Sequence, residues 1–229
     1  MRFPKFKTLA IALMAVGATG LAGCITLLPE VKPIQLYTFR FNPEVVDKPL
    51  APTPTVAEPV DLFLNFDSFP RAAAGDRILT TEGNEVSYIS GGRWASAAQG
   101  QFRDLLSEGF ARVGSDRLRI GGQGRVTAKY RLDVDVRRFE AAYVRRKPSI
   151  IVALDARVVR LSDRKVVAQR LISSDVAVRK NDLTLLVEGY EKASSQAVVS
   201  LIGFTEEAVA TAEAETPTAV ATPQGPVKK

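Results

Sequence analysis

The sequence predicts an α+β domain: an antiparallel β-sheet with two helices packed on one face. Three observations carry that expectation. Tyr130, Leu132, Val134 and Val136 alternate strictly with Arg131, Asp133, Asp135 and Arg137, so one strand face is apolar and the other charged. Two stretches, near residues 98–113 and 183–202, repeat apolar residues at helical spacing along a single stripe. Short turn signals separate consecutive strands, as in a meander. One-sided strands and one-sided helices each leave an apolar surface to cover, and two stacked layers cover both.

The elements follow in chain order. Arg2, Lys5 and Lys7, with no acid among them, precede an apolar run that ends at Leu21-Ala22-Gly23-Cys24. Basic, apolar and small-residue segments in this order form an export signal. A signal that stops at a cysteine resembles the lipobox of bacterial lipoproteins. That resemblance implies cleavage before Cys24, loss of residues 1–23, and acylation of Cys24 by palmitate-type chains. The alternative is an ordinary export signal with a chance cysteine. Ile25 stands where an aspartate would resemble an inner-membrane retention signal, so the outer membrane is the expected address, with the domain facing the periplasm. Residues 24–59 carry Pro29, Pro33, Pro43, Pro49, Pro52, Pro54 and Pro59 and read as an extended tether. Within it, residues 34–41 place Tyr37, Phe39 and Phe41 on one side, a possible edge strand.

The folded domain is expected over residues 60–204. Leu62, Leu64 and Phe66 alternate along a first strand. Residues 77–80 and 85–90 read as two short strands around Gly83-Asn84, and Gly91-Gly92 then breaks the chain. Ala98, Phe102, Leu105, Leu106, Phe110 and Val113 stripe the first helix, with Ser96 as N-cap and Gly114 just past its end. Gly100 and Gly109 weaken this helix and would permit close packing on the sheet. Residues 117–120 form a short strand before Gly121-Gly122-Gln123-Gly124, read as a mobile loop because no helix and no Lys-Ser pair follow it. Strands near 130–136, 149–161 and 166–178 complete the meander, turning at Ser162-Asp163-Arg164. Asn181 or Asp182 caps the second helix, whose stripe is Leu186, Tyr190, Ala193, Ala197 and Leu201. Leu132, Val134, Leu154, Phe102, Leu105 and Tyr190 are the expected core, and residues 205–229 read as a disordered tail.

Composition narrows the chemistry. The chain of 229 residues has 31 basic and 25 acidic side chains, and its +6 falls to +3 when Arg2, Lys5 and Lys7 leave with the signal. No basic stripe interleaved with aromatics appears, so nucleic acid is not an expected partner. There is no histidine and only one cysteine. Ser-His-Asp and Cys-His catalysis, imidazole base chemistry, thiol redox work and the usual zinc sites all lack their residues. No G-x-S-x-G, S-x-x-K or P-loop motif is present, so neither enzymatic activity nor a cofactor or metal is expected. Asp133 and Asp135 lie two residues apart on one face, but Arg131 and Arg137 flank them and a surface charge ladder is the better reading.

Two surfaces are candidates for binding. Arg145, Arg146 and Lys147 fall between two long strands, a hairpin tip suited to anionic headgroups or an acidic partner, or else solvated turn charge. Tyr88 and Trp94 form either an aromatic partner patch or filling where the strand meets the first helix; burial is the usual fate of large aromatics.

Several features together resemble the PqiC-like ABC-type transport auxiliary lipoproteins. They are the lipobox, the aromatic-containing strand Leu36-Tyr37-Thr38-Phe39, the segment from Ser87-Tyr88 to Arg93-Trp94, the long meander and the closing helix. The resemblance covers about Cys24 to Phe204. It implies a non-enzymatic, lipid-anchored accessory of an MCE-type lipid transporter. Its partners would be an MCE-type periplasmic protein and the ABC permease and ATPase, with self-association a further possibility. The alternative function is a structural or assembly lipoprotein of outer-membrane biogenesis with no transporter.

Overall fold

The computed structural model describes residues 33–45, 59–121 and 128–215. The compact unit begins at Gln35. The signal segment, Cys24, residues 25–32 and 46–58 of the expected tether, residues 122–127 with most of the expected loop 121–124, and residues 216–229 of the expected tail lie outside the described residues.

The elements are β1 (Gln35–Tyr37), a short 3-10 turn (Pro43–Val45), β2 (Val60–Ser68), β3 (Arg77–Glu82), β4 (Glu85–Trp94), α1 (Ala98–Val113), β5 (Leu118–Gly121), β6 (Tyr130–Val144), β7 (Lys147–Arg160), β8 (Lys165–Ala177) and α2 (Leu183–Ala214). All eight strands form one sheet in the order β1-β4-β3-β6-β2-β5, with β7 on β6 and β8 on β7. The predicted α+β class and the antiparallel β6-β7-β8 meander are present. The sheet is mixed, however, because β6 receives two parallel partners along one edge. β2 pairs with its first half from Leu62↔Tyr130, and β3 with its last residues from Thr80↔Ala141. β1 on β4 and β5 on β2 are also parallel. Parallel neighbours need a crossover; β3, β4 and α1 intervene between β2 and β5.

β6 keeps one apolar face along 15 residues by means of a bulge. Its register slips between Val136 and Arg138. Tyr130, Leu132, Val134 and Val136 are buried before the slip, Phe139 and Ala141 after it, so the extra residue resets the alternation. Phe139 then meets both helices. Its ring centroid lies 5.9 Å from that of Phe102 on α1 and 4.8 Å from that of Tyr190 on α2, which sets both helices on one face. Phe39, Phe69 and Trp94 complete the ring cluster around it. The six expected core residues are all buried within the same cluster.

Four local expectations change. Residues 35–45 belong to the fold, not to a free tether: β1 spans only Gln35–Tyr37, but Phe39 and Phe41 are buried beyond it. Their backbone is tied down across both helices, Phe39 N–H donating to Gln101 Oε1 and Asn42 N–H to Ser195 Oγ. Gly91-Gly92 does not end a strand; β4 runs through it, with Gly91 at φ +82° and a Cβ on Gly92 placed 2.3 Å from Leu183 Cδ2. α1 is capped at Ala97 without a side-chain hydrogen bond, and Ser96 instead offers its carbonyl to Gln101 Nε2. Gly109 permits close helix–helix, not helix–sheet, packing: a Cβ there would sit 2.5 Å from Val198 Cγ1, whereas Gly100 faces open space.

The expected disordered tail is corrected up to residue 215. α2 continues to Ala214, and Thr205, Ala208, Val209 and Ala212 are buried on its inner stripe. Alanine- and threonine-rich composition masked a helix whose small residues fit a close contact. Glu206 is buried there too, accepting the Ser115 backbone N–H at 2.6 Å.

Candidate functional site

The basic hairpin is the first sequence candidate, and the strand register forms it. Val144 pairs with Lys147, leaving a two-residue loop of Arg145 (φ 51°) and Arg146 (φ 63°). Two consecutive positive φ values define a type I′ turn, which Asn-Gly fills with least strain. Arginine at both positions costs about 1 kcal/mol each in steric strain. The turn is exposed, as is Val144 beside it at 69%. β8 ends against the start of β7, with Val178 N–H donating to Pro148 O at 2.9 Å. That brings the exposed Arg179 and Lys180 to the same end of the sheet, a clustering hidden from the sequence by some 30 intervening residues. None of the five cations enters an ion pair with a described residue.

The aromatic pair is not one patch. Trp94 is 2% exposed and packs edge-on against Phe39 and Tyr190 at 5.0 and 5.1 Å. Tyr88 is half-buried, with the Arg77 guanidinium 3.7 Å above its ring and its hydroxyl donating to Ala72 O. Trp94 follows the strand into the core, so it offers no surface to a partner.

The helix-free sheet face carries the charge ladder. Asp133 accepts from Asn65 Nδ2 at 2.7 Å and from Arg131 Nη2 at 3.0 Å. Asp135 accepts from Ser68 Oγ at 2.7 Å, Arg157 Nη2 at 3.2 Å and Arg137 Nη2 at 3.3 Å. Arg137 also bridges to Asp155, whose carboxyl the Gln169 amide and then the Arg137 guanidinium hold below its ordinary value. The expected ladder is there, but it is not a solvated one: Asp133 and Asp135 are only 5% and 6% exposed, and Arg131, Arg137 and Arg157 pair with them. Carboxylates committed to several donors hold charge and register on this face.

At the other end, α2's last turns bring a second network that sequence reading missed. Glu213 accepts from Tyr130 Oη at 2.6 Å and Lys129 Nζ at 2.5 Å. Burial, then the Glu213 hydrogen bond, pushes the Tyr130 hydroxyl up to about 12. Burial alone would raise Glu213, but the Lys129 and Tyr130 contacts outweigh it and hold the carboxyl below its ordinary value. The only sequence signal was Glu213 falling on the continuation of the apolar stripe.

No described helix is long and apolar enough to cross a membrane. Among the described residues, no group of three or more acidic, histidine or cysteine side chains is placed to hold a metal ion. The described domain is thus a mixed sheet with helices on one face, paired charge on the other and a cationic rim at one end.

The chain belongs to the family described as the ABC-type transport auxiliary lipoprotein component, which it matches over residues 52–201. This family is an auxiliary component of transport, not an enzyme class, and as a lipoprotein family it sets the chain in the cell envelope, in association with an ABC transport system. The fold is similar to the crystal structure of protein XCC0632 from Xanthomonas campestris, of family DUF330. That likeness has TM-score 0.66 and 22% identity, and covers 80% of this chain and 100% of that one. A second crystal structure, of an uncharacterized protein, is similar at TM-score 0.51 and 12% identity, covering 79% and 99% of the two chains. No curated protein matches the sequence.

Proposed function

We propose that this chain is the lipid-anchored accessory protein of an MCE-type ABC lipid transporter. It is acylated at Cys24, sits at the outer membrane facing the periplasm, and acts by binding and positioning, with no catalytic step. The observation that carries this reading is the family match across the folded domain. The committed carboxylates of the helix-free face support a binding role over a hydrolytic one. The attachment of Gln35 in β1 shortens the tether expected from the prolines. Cys24 is eleven residues from Gln35, so at ~3.3–3.6 Å per residue the anchor reaches at most about 40 Å. The domain therefore works close to the membrane that holds it and presents its outer surface to a partner that comes to it.

The experiment is crosslinking in cells followed by purification of the acylated full chain. An MCE-type periplasmic protein is the expected capture, and mass spectrometry of the mature protein should find acyl groups on Cys24. Recovery of outer-membrane assembly factors without a transporter subunit would replace this reading with the assembly role. Removing residues 216–229 should leave capture intact.

A further inference from the structure

We propose that the end of the sheet bearing the β3–β4 and β6–β7 turns lies flat on an anionic phospholipid surface, the membrane into which Cys24 is inserted. This rests on the lipoprotein reading above for its membrane, and on the fold alone for its contact residues.

Four observations converge on that end. The register Glu82↔Glu85 and Glu82↔Tyr143 sets the two turns side by side. Arg145, Arg146, Lys147, Arg179 and Lys180 gather there with no ion-pair partner among the described residues, while the arginines of the helix-free face are spent on carboxylates. The acids near this end are Glu82 and Glu85 of the neighbouring turn, Asp175 two residues before the end of β8, and Asp182, which is engaged in capping α2 through Leu185 N–H. Cations thus remain in excess. Second, Val144 and Val86 are 69% and 57% exposed at the same end, apolar side chains among cations as an interfacial surface requires. Third, the arginines occupy φ values that glycine or asparagine would hold with less strain, so the turn gives up stability to keep charge at its apex.

The fourth observation is the reach of the anchor. β1 begins at Gln35 opposite Gly92 and runs parallel to β4, away from the turn end. Gly92 is seven residues from Glu85, about 23 Å along the strand, well within the ~40 Å that the eleven residues from Cys24 can span. An acyl anchor and a basic, apolar-tipped rim within its reach are the two signals that together give stable and oriented membrane attachment.

The test is flotation of the mature chain carrying Cys24→Ser, which keeps every described residue and needs no acyl group. The vesicles are phosphatidylglycerol with phosphatidylethanolamine, and phosphatidylcholine alone. Binding to the first and not the second is expected, falling with salt. Arg145→Asn with Arg146→Gly keeps the turn and removes its charge, and should weaken binding about 25-fold, roughly fivefold per cation. Arg179→Glu with Lys180→Glu should weaken it at least as much. Arg164→Glu with Lys165→Glu, at the opposite end, should leave it unchanged, and cooperative thermal melts will show that the variants are folded. Failure to bind phosphatidylglycerol vesicles overturns the proposal, as does equal loss from the opposite-end variant. If the tip variants bind vesicles normally but lose capture of the periplasmic protein in cells, the rim is a protein contact and the proposal fails. Because Cys24 is mutated throughout, a missing acyl group in cells would sink the lipoprotein reading without touching this result.

Discussion

The two faces of the central sheet are built from the same strands and hold together by different physics. On the helix side, β6 and β7 present Leu132, Val134, Phe139, Ile150, Val152 and Leu154, all buried and closed over by α1 and α2. On the open side the alternate residues are Arg131, Asp133, Asp135, Asp155 and Arg157, a lattice of charge-assisted hydrogen bonds in which Asp133 and Asp135 are nearly as buried as the core. Apolar burial contributes in proportion to area and demands shape. A shielded ion lattice contributes little net stability, but removing one member leaves its partners unsatisfied. A sheet face with no covering helix can thus still shelter its carboxylates, by pairing them with arginines along the strands.

The largest expected effect breaks the helix side. Phe139 touches five other rings and both helices, so Phe139→Ala should cost about 3–5 kcal/mol in urea unfolding. A loss under ~1 kcal/mol would mean the bulge does not aim β6 as described. The open side should respond less. Asp135→Ala removes the acceptor of Ser68, Arg137 and Arg157, but the two arginines are 54% and 35% exposed and can turn to water, so about 1–3 kcal/mol is expected. A cost equal to that of Phe139→Ala would erase the distinction between the faces.

A smaller effect reads out the edge where α2 meets β6. Glu213 is held below its ordinary value of 4.5, so its contribution is complete above that pH and drains as pH falls through the lower folded value. Glu213→Gln should cost about 1 kcal/mol at neutral pH and nothing in strong acid. Tyr130 adds the alkaline counterpart: held at about 12 when folded against 10.0 when free, it makes stability decline as pH rises from 10 towards 12. A Glu213→Gln penalty that persists unchanged in strong acid would rule out the carboxylate contact. The smallest effect has the opposite sign. Arg145→Asn with Arg146→Gly should stabilise the fold by about 1 kcal/mol, since the type I′ turn then carries residues suited to positive φ. Destabilisation would show that the arginines make contacts that offset their strain.

Much of the fold was legible in the residues themselves. Strict alternation along β6 and β7 and the stripes of α1 and α2 report burial directly, because side-chain direction repeats every two residues in a strand and every 3.6 in a helix. Asp182 as the α2 cap and the position of the Arg145-Arg146 turn were equally local. Alternation along β6 became illegible at Arg137, where a bulge inserts one residue and shifts the pattern to Phe139 and Ala141. The last turns of α2 were hidden because alanine and threonine bury little apolar surface and look like linker, although Ala208, Val209 and Ala212 pack inward.

By itself, then, the sequence determined the elements, the apolar faces, the absence of histidine chemistry and a basic hairpin tip, all of them properties of neighbouring residues. Only the tertiary structure decided that β6 takes two parallel partners on one edge, that Trp94 is core and Tyr88 half-buried, that Asp133 and Asp135 are buried and paired with arginines, and that Arg179 and Lys180 join Arg145, Arg146 and Lys147. The physical reason is that each depends on strand register. Pairing sets which distant residues share an end, an edge or a face, and no periodicity within a single segment encodes that choice.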